Sequence, residues 1–470
     1  MNQAANDAVN DAVNDAAHGA ASCEVVLVRR GTYHDSVTLM RVSRSLSDMP
    51  GVTVAMVAMA TDLNVSILRE LGFTIPETDP GDLLIAVRAS DTEAAVEEAD
   101  RQLTTFQRAD PAPEHQPPLT TRSAARTPAD LVLVSTPGEH AFAEALDAVE
   151  AGLPVMIFSD GVPVWQERLL KERALQQAGD VLVMGPDCGT AVIGGVGLGF
   201  ANVLRPGPVG VVAASGTGAQ QVTSLLDWAG TGVSHVLGVG GRDLSAEVGG
   251  LSALRALRML DDDPATELIV LISKPPSPEV ARAVEESVGR MRTPVVRAML
   301  QEGAPDLTEA TEQVLRALGR PVPEWPSWPS WPGGRPPAKA IKGVYAGGTL
   351  SAEAAMVAGS GDIVDYGDDA YTRGRAHPMI DPVLRVEALA HTQDTDVVLM
   401  DVVLGHGADP DPAASLAHAV ARAPATVVIA LIGTEGDPQD LHRQAAAFRE
   451  AGAAVFTSNA QAARHARSLL

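Results

Sequence analysis

Three glycine-framed turns carry the residues best suited to chemistry in this 470-residue chain. In the first, an apolar run ending at Ala213 breaks into Ser215-Gly216-Thr217-Gly218 and opens an amphipathic stretch. A buried strand that turns this way into a helix aims unpaired backbone N–H groups and the positive end of the helix dipole at one point, which suits an anion, above all a phosphate. The plainer reading is a strand-to-helix corner tightened by glycine. A second cluster, Gly238-Val239-Gly240-Gly241-Arg242-Asp243, follows another apolar run. In the third, Asp401 to Leu404 runs into Gly405-His406-Gly407 and then Asp409-Pro410-Asp411-Pro412, where Pro412 fits a first helical turn and Asp409 or Asp411 its cap. The loop Arg373-Gly374-Arg375-Ala376-His377 adds two guanidinium groups and an imidazole. Ordinary surface ion pairs are its alternative use. His377 and Asp381 have a spacing compatible with a metal pair, but two ligands are too few, and no metal is expected.

Turns of this kind need strands to position them, and the hydrophobic pattern supplies strands alternating with helices throughout. Residues 23–108 read as strands Glu24–Arg30, Val52–Met59 and Asp82–Val87, with helices near Asp35–Leu46, Leu63–Leu71 and Thr92–Phe106. Residues 119–320 give strands near Leu131–Ser135, Val155–Phe158, Val181–Met184, Val209–Ala213, Val233–Val239, Leu268–Ile272 and Pro294–Arg297. Residues 341–470 add Gly343–Ala346, Asp362–Tyr366, Val397–Val403, Thr426–Ile432 and Ala454–Thr457. Near-continuous Val/Leu/Ile strands between helices imply parallel sheets covered on both faces, so the expected class is α/β with several doubly wound domains. Ligands in such folds sit at the carboxyl ends of the strands, where the glycine turns lie.

Proline-rich stretches at Ala109–Pro118 and Pro321–Pro337 divide the chain. The expected parts are a disordered tail 1–22 with its repeated Asn-Asp-Ala-Val, an N-terminal α/β domain 23–108, two domains at 119–205 and 206–320, a Pro/Trp linker 321–338 and a last domain 339–470. The linker tryptophans either pack on their own domains or serve as a peptide-recognition motif. The net charge of −24 argues against nucleic acid or an anionic membrane as partner, so any anion site must be local. No apolar run suits a membrane span, and the N-terminus lacks a secretory pattern. Cys23 and Cys188 form neither a metal cluster nor a disulfide framework, which fits a cytoplasmic location.

Residues about 131–300 resemble the α-subunit of succinyl-CoA synthetase and its NDP-forming acyl-CoA synthetase relatives, through MGPDCGT (184–190), GVVAASGT (210–217), GVGG (238–241), DDDPATELIVLI (261–272) and TPVVRAML (293–300). Residues about 341–470 resemble the C-terminal ligase domain of the β-subunit, through GVYAGGTL (343–350), VDYG (364–367), VVLMDVVLGHG (397–407) and VVIALIGTEGD (427–437). The whole chain, including RRGTYHDSVTLM (29–40) and RGRAHPMIDP (373–382), most resembles the FdrA proteins, which fuse these pieces. The resemblance implies a Rossmann-like CoA-binding domain at 119–205 and two flavodoxin-like succinyl-CoA synthetase ligase domains, at 206–320 and 339–470.

Departures from the synthetase pattern shape the expected function. The synthetases relay phosphate through a histidine shortly after the TPVV-like strand, whereas Gln301 to Ala310 contains none, and Lys274 stands where the family has the glutamate that holds that histidine. The ATP-grasp domain is also missing. The FdrA resemblance then implies a subunit of a carbamoyltransferase of the oxamate type, an enzyme of allantoin catabolism, with carbamoyl phosphate as substrate and CoA left open. In that reading two helix ends clamp the phosphate, one through Ser215, Gly216, Thr217 and Gly218 and the other through Gly405 and Gly407. Lys274 supplies charge, or alternatively snorkels at a strand end. His406 polarises the carbonyl, shuttles a proton, carries phosphate, or simply hydrogen-bonds its loop. Arg373, Arg375 and His377 hold the acceptor. The alternatives are a subunit of an NDP-forming acyl-CoA synthetase and a non-catalytic small-molecule scaffold. Partner subunits are expected, with a homo-oligomer left open.

Overall fold

The computed structural model describes residues 23–107, 118–179, 181–329, 338–372 and 375–470. The expected tail 1–22, nearly all of the first linker and Arg373 lie outside them. The chain divides into two compact units, 1–116 and 117–470.

In the first unit, strands β1 (Cys23–Arg29), β2 (Val52–Met59) and β3 (Leu83–Ala89) alternate with helices, as the pattern predicts. The sheet is not parallel, however. Its order is β1-β3-β2, and β3 runs antiparallel to both neighbours. Hydrophobic periodicity reports burial on both faces and is blind to strand direction, and β3 is buried along nearly its whole length because it is central. One face is covered by Leu39, Val42 and Leu46 with Ala95, Ala99 and Leu103. The other carries Val65, Leu68 and Phe73. Asp35 caps the helix Ser36–Ser47, its carboxylate accepting the Thr38 N–H at 2.9 Å.

Among the described residues the second unit contains three sheets. A small parallel one joins β4 (Val132–Val134), β5 (Val155–Ile157) and β6 (Val183–Met184). The next has six strands: β7 (Thr190–Ile193), β8 (Val196–Gly199), β9 (Pro206–Ala213), β10 (Val233–Gly238), β11 (Leu268–Ser273) and β12 (Val295–Met299), in the order β12-β11-β9-β10-β7-β8. The last joins β13 (Ser327–Trp328), β14 (Ala340–Tyr345), β15 (Asp362–Asp365), β16 (Asp396–Val403), β17 (Thr426–Ile432) and β18 (Ala454–Phe456), in the order β13-β18-β17-β16-β14-β15.

Strands β9 to β12 are mutually parallel, and so are β14 to β18. In each of these two parallel sets the first strand lies between the second and the third. This doubly wound order opens a crevice at the carboxyl ends of the first and third strands, between β9 and β11 in one sheet and between β14 and β16 in the other. The hairpin β7–β8 and strand β13 are additions that the pattern did not predict. In the linker, Trp325 is buried and its indole N–H donates to Glu312, while the Trp328 ring stands edge-on to His442. These two indoles pack on their own unit.

Candidate functional site

The two crevices meet. Strand β9 leads into Ser215, whose hydroxyl accepts the Gly218 N–H at 2.9 Å and so caps the helix Gly216–Trp228. The same hydroxyl donates to Oγ1 of Thr349 at 2.6 Å, across 134 residues of sequence. Thr349 lies in the first turn of the helix Gly348–Ala358, which follows β14. Gly347, at the cap of that helix, lies so close to Thr217 that a Cβ there would stand 2.7 Å from the Thr217 Oγ1. Two helix N-termini from two sheets therefore converge on one spot. The N–H groups of Gly216 and Thr217, and those of Gly348, Thr349 and Leu350, have no hydrogen-bond partner among the described residues, as first-turn donors of a helix do not.

Lys274 leaves β11 beside Ser215, since Ile272 pairs with Ala213 in adjacent strands. It is exposed and makes no ion pair among the described residues. Across from it lies Asp365, at the end of β15, packed so close to Gly348 that a Cβ there would meet its Oδ2 at 2.6 Å. Burial raises the Asp365 carboxyl above its ordinary range and Asp368 adds to the shift, while Lys274 pulls it back down. Beneath this turn the buried Asp401 accepts the Ala346 N–H at 2.8 Å and faces Arg385 at 3.2 Å. Burial pushes Asp401 up to about 6 against the opposing pull of Arg385.

The second half of the expected clamp lies elsewhere. Gly405 donates its N–H to Gln439 at 3.1 Å, and His406 donates its own to the carbonyl of Ala201 at 2.8 Å. Both donors are thus used inside the protein. The next helix, Pro412–Arg422, is capped by Asp411, which also holds Arg443 and Gln444. Gly347-Gly348-Thr349, rather than Gly405 to Gly407, stands against Ser215. The imidazole of His406 is exposed.

The His377 ring lies tilted against Phe200, with centroids 6.1 Å apart, and Gly407 packs on the same Phe200 ring. The His377 Nδ1 accepts the Met379 N–H at 3.2 Å, which leaves the proton on Nε2, the side nearest Gly367. Burial, with Arg385 nearby, lowers His377 to about 4, so it stays neutral. Arg375 is exposed on the same loop.

The other glycine cluster serves packing. A Cβ on Gly238 would strike Cys188, and one on Gly240 the carbonyl of Pro186. Asp243 caps the helix Leu251–Asp262 and pairs with Lys171 at 2.8 Å, which also binds Glu167 at 2.7 Å, all three fully buried. On the rim, Asp187 adopts a left-handed φ of 57°. Desolvation, with Asp160 and Asp369 nearby, pushes it up to about 6.

Sequence reasoning treated GVYAGGTL only as a landmark, although it repeats the arrangement of Ser215-Gly216-Thr217: a strand, small residues, a threonine and then a helix.

Three families match. Residues 22–118 match AllF, heavy metal-associated domain; residues 205–296 match CoA binding domain; residues 344–469 match CoA-ligase. The chain is 34% identical to YahF of Escherichia coli (strain K12), over 95% of this chain and 98% of that protein. It is 30% identical to the succinate–CoA ligase [ADP-forming] subunit alpha 1 of Archaeoglobus fulgidus over 39% of this chain, and spans 62% of that subunit. Among solved structures, the dinucleotide-forming acetyl-coenzyme A synthetase 1 of Ca. Korarchaeum cryptofilum covers 73% of this chain and 84% of its own length, at 16% identity and a TM-score of 0.30.

The donor set among the described residues of the first unit does not fit a heavy metal. Cys23 is its only cysteine, and among the described residues no group of three or more His, Cys, Asp or Glu could hold one. The carbamoyltransferase expectation, with carbamoyl phosphate and an allantoin setting, is overturned by the CoA-binding and CoA-ligase matches and by the similarity to subunits of CoA ligases. No helix among the described residues is long and apolar enough to cross a membrane. With YahF matched over nearly the whole of both chains, and with CoA-binding and CoA-ligase domains behind an AllF-like N-terminal domain, the chain belongs to the YahF family of FdrA-like proteins.

Proposed function

We propose that this chain is a subunit of an acid–CoA ligase of the NDP-forming acyl-CoA synthetase type, holding a phosphoryl group where its two helix N-termini meet. The observation that carries this reading is the contact of Ser215 with Thr349, which brings the two first turns and their free N–H groups to one point. An anion there is favoured by both dipoles and by charge-assisted hydrogen bonds, and Lys274 adds a mobile positive charge at the mouth. Negative charge that builds on a departing phosphate would fall where these donors already point, with no reorganisation needed. A neutral His377 and the exposed Arg375 stand on the neighbouring loop as candidates for the carboxylic acid. The nucleotide is assigned to a partner polypeptide, in keeping with relatives that are themselves ligase subunits.

The test has two arms. Inorganic phosphate titrated into the purified chain should bind, and Lys274→Ala should weaken it about tenfold, the value of one charge-assisted contact. The chain isolated with its native partners should form CoA thioesters from small carboxylic acids and ATP, trapped as hydroxamates, and Lys274→Ala should slow this. Phosphate affinity indifferent to Lys274, or no thioester from any acid tried, would refute the assignment.

A further inference from the structure

A second cavity lies at the far end of the helix Gly348–Ala358. The loop after β12, the last turn of that helix and the last turn of the C-terminal helix Asn459–Ser468 surround an open space of about 640 Å³, within the range of small-molecule sites. The helix carries Thr349 at one end and Met356 and Val357 at the other. Its eleven residues rise about 16 Å, so this space is separate from the cleft.

Two arginines line it, and they differ. Arg464 is paired, its Nη2 donating to both Asp306 and Glu309. Asp306 is further satisfied by the Glu309 N–H, which it caps. Arg467 makes no ion pair or side-chain hydrogen bond among the described residues, and it is exposed. Its guanidinium leans over the carboxyl end of the helix Gly348–Ala358, with Nη1 3.7 Å from the position of a Cβ on Gly359, where a cation is favoured. Glu302 stands at the rim. The cavity thus offers a guanidinium with no carboxylate partner among the described residues, beside the partly buried side chains of Met356 and Val357. Arginine suits a carboxylate because its fork matches two oxygens, and methionine adapts to alkyl chains of different shape.

We propose that this cavity binds a small amphipathic monocarboxylate, with its carboxylate on Arg467 and its alkyl chain on Met356 and Val357. The site goes beyond the ligase reading and does not depend on it. Calorimetric titration of hexanoate and of hexylamine into the full chain tests the idea, with Arg467→Gln, Lys274→Ala and Arg375→Gln as variants. Arg467 is exposed, so its replacement leaves folding intact, which thermal unfolding verifies. Hexanoate should bind the wild type, Lys274→Ala and Arg375→Gln equally and Arg467→Gln at least about tenfold more weakly, the loss of one charge-assisted pair, while hexylamine should not bind. Four results would overturn it: no hexanoate binding, binding untouched by Arg467→Gln, binding lost in Lys274→Ala or in Arg375→Gln, either of which would place the carboxylate in the cleft, or hexylamine binding as well as hexanoate.

Discussion

The meeting of the two helix ends predicts a specific steric coupling between Gly347 and Thr217. Gly347 has φ −118°, which any residue adopts, so Gly347→Ala adds no backbone strain. Loss of glycine freedom in the unfolded chain and the poorer capping by alanine act in opposite directions and are of similar size. What remains is overlap: the new Cβ would stand 2.7 Å, 2.8 Å and 2.9 Å from Oγ1, Cγ2 and Cβ of Thr217. Because Thr217 sits in a first helical turn anchored by the Ser215 cap, relief requires the two helix ends to move apart. Overpacking of this kind costs about 1–3 kcal/mol. Thr217→Gly removes all three atoms, at its own cost of up to about 1 kcal/mol of helix propensity. In the double variant the alanine has room, so the two effects should be non-additive by at least about 1 kcal/mol. Urea denaturation of the four proteins, followed by tryptophan fluorescence, measures the cycle. Phosphate affinity should follow, falling in Gly347→Ala and partly returning in the double variant. Additivity within about 0.5 kcal/mol would mean that the helix ends do not touch as described.

Two further outcomes follow from buried charge. Glu353 accepts the Leu307 N–H and the Asn459 side-chain N–H, and desolvation, with Asp306 nearby, raises it from 4.5 to about 7. A carboxyl raised on folding gives stability that is complete below its unfolded value and lost as pH climbs through its folded value. Between pH 4.5 and 7 the wild type should therefore lose about 3 kcal/mol relative to Glu353→Gln, read as the pH dependence of the difference in unfolding free energy; a pH-independent difference would contradict this. Lys171→Met leaves Glu167 and Asp243 buried with only Arg242, on Glu167, to compensate them, and should cost about 3–5 kcal/mol. Adding Glu167→Gln and Asp243→Asn should recover much of that loss in the same denaturation assay.

Strand positions in the second unit were legible because parallel strands buried on both faces read as unbroken apolar runs: Thr426–Ile432 is seen as predicted. Strand direction in the first unit was not, since burial carries no polarity. The hairpin β7–β8 escaped because Val196-Gly197-Leu198-Gly199 is too short and glycine-rich to show a period. Its signal was the pair Gly194-Gly195, both at positive φ, which is the backbone of a tight hairpin turn. For the site, Ser215 and Lys274 were readable as the residues that leave two strands. Which strands are neighbours is a matter of sheet order, and no local pattern encodes it. That is why the partner of Ser215 was sought after β16 and is found after β14. The backbone of Gly405 looked free in sequence, yet Gln439, 34 residues later, occupies its N–H.

The two crevices stay opposed because the sheets behind them share one interior rather than a separable interface. Val211 and Val270 of one sheet belong to the same apolar cluster as Leu399 and Val428 of the other. Apolar contact alone would permit sliding, since it has no preferred direction. Hydrogen bonds inside the cluster remove that freedom. Gln221 exchanges bonds with Thr457 and Asn459, Leu307 donates to Glu353, Trp228 donates to Gly433, and Asn202 binds both Leu404 and Asp437. Each would leave a buried polar group unsatisfied if the sheets shifted, at about 1–3 kcal/mol apiece. Several such bonds spread around the joint fix position and rotation together. A site built on two helix N-termini needs this, because the dipole effect fades within the first turn and a small displacement would remove one half of it. The stiffness of the joint is therefore part of the proposed chemistry, and ligands must enter past the loops at the mouth instead of by parting the sheets.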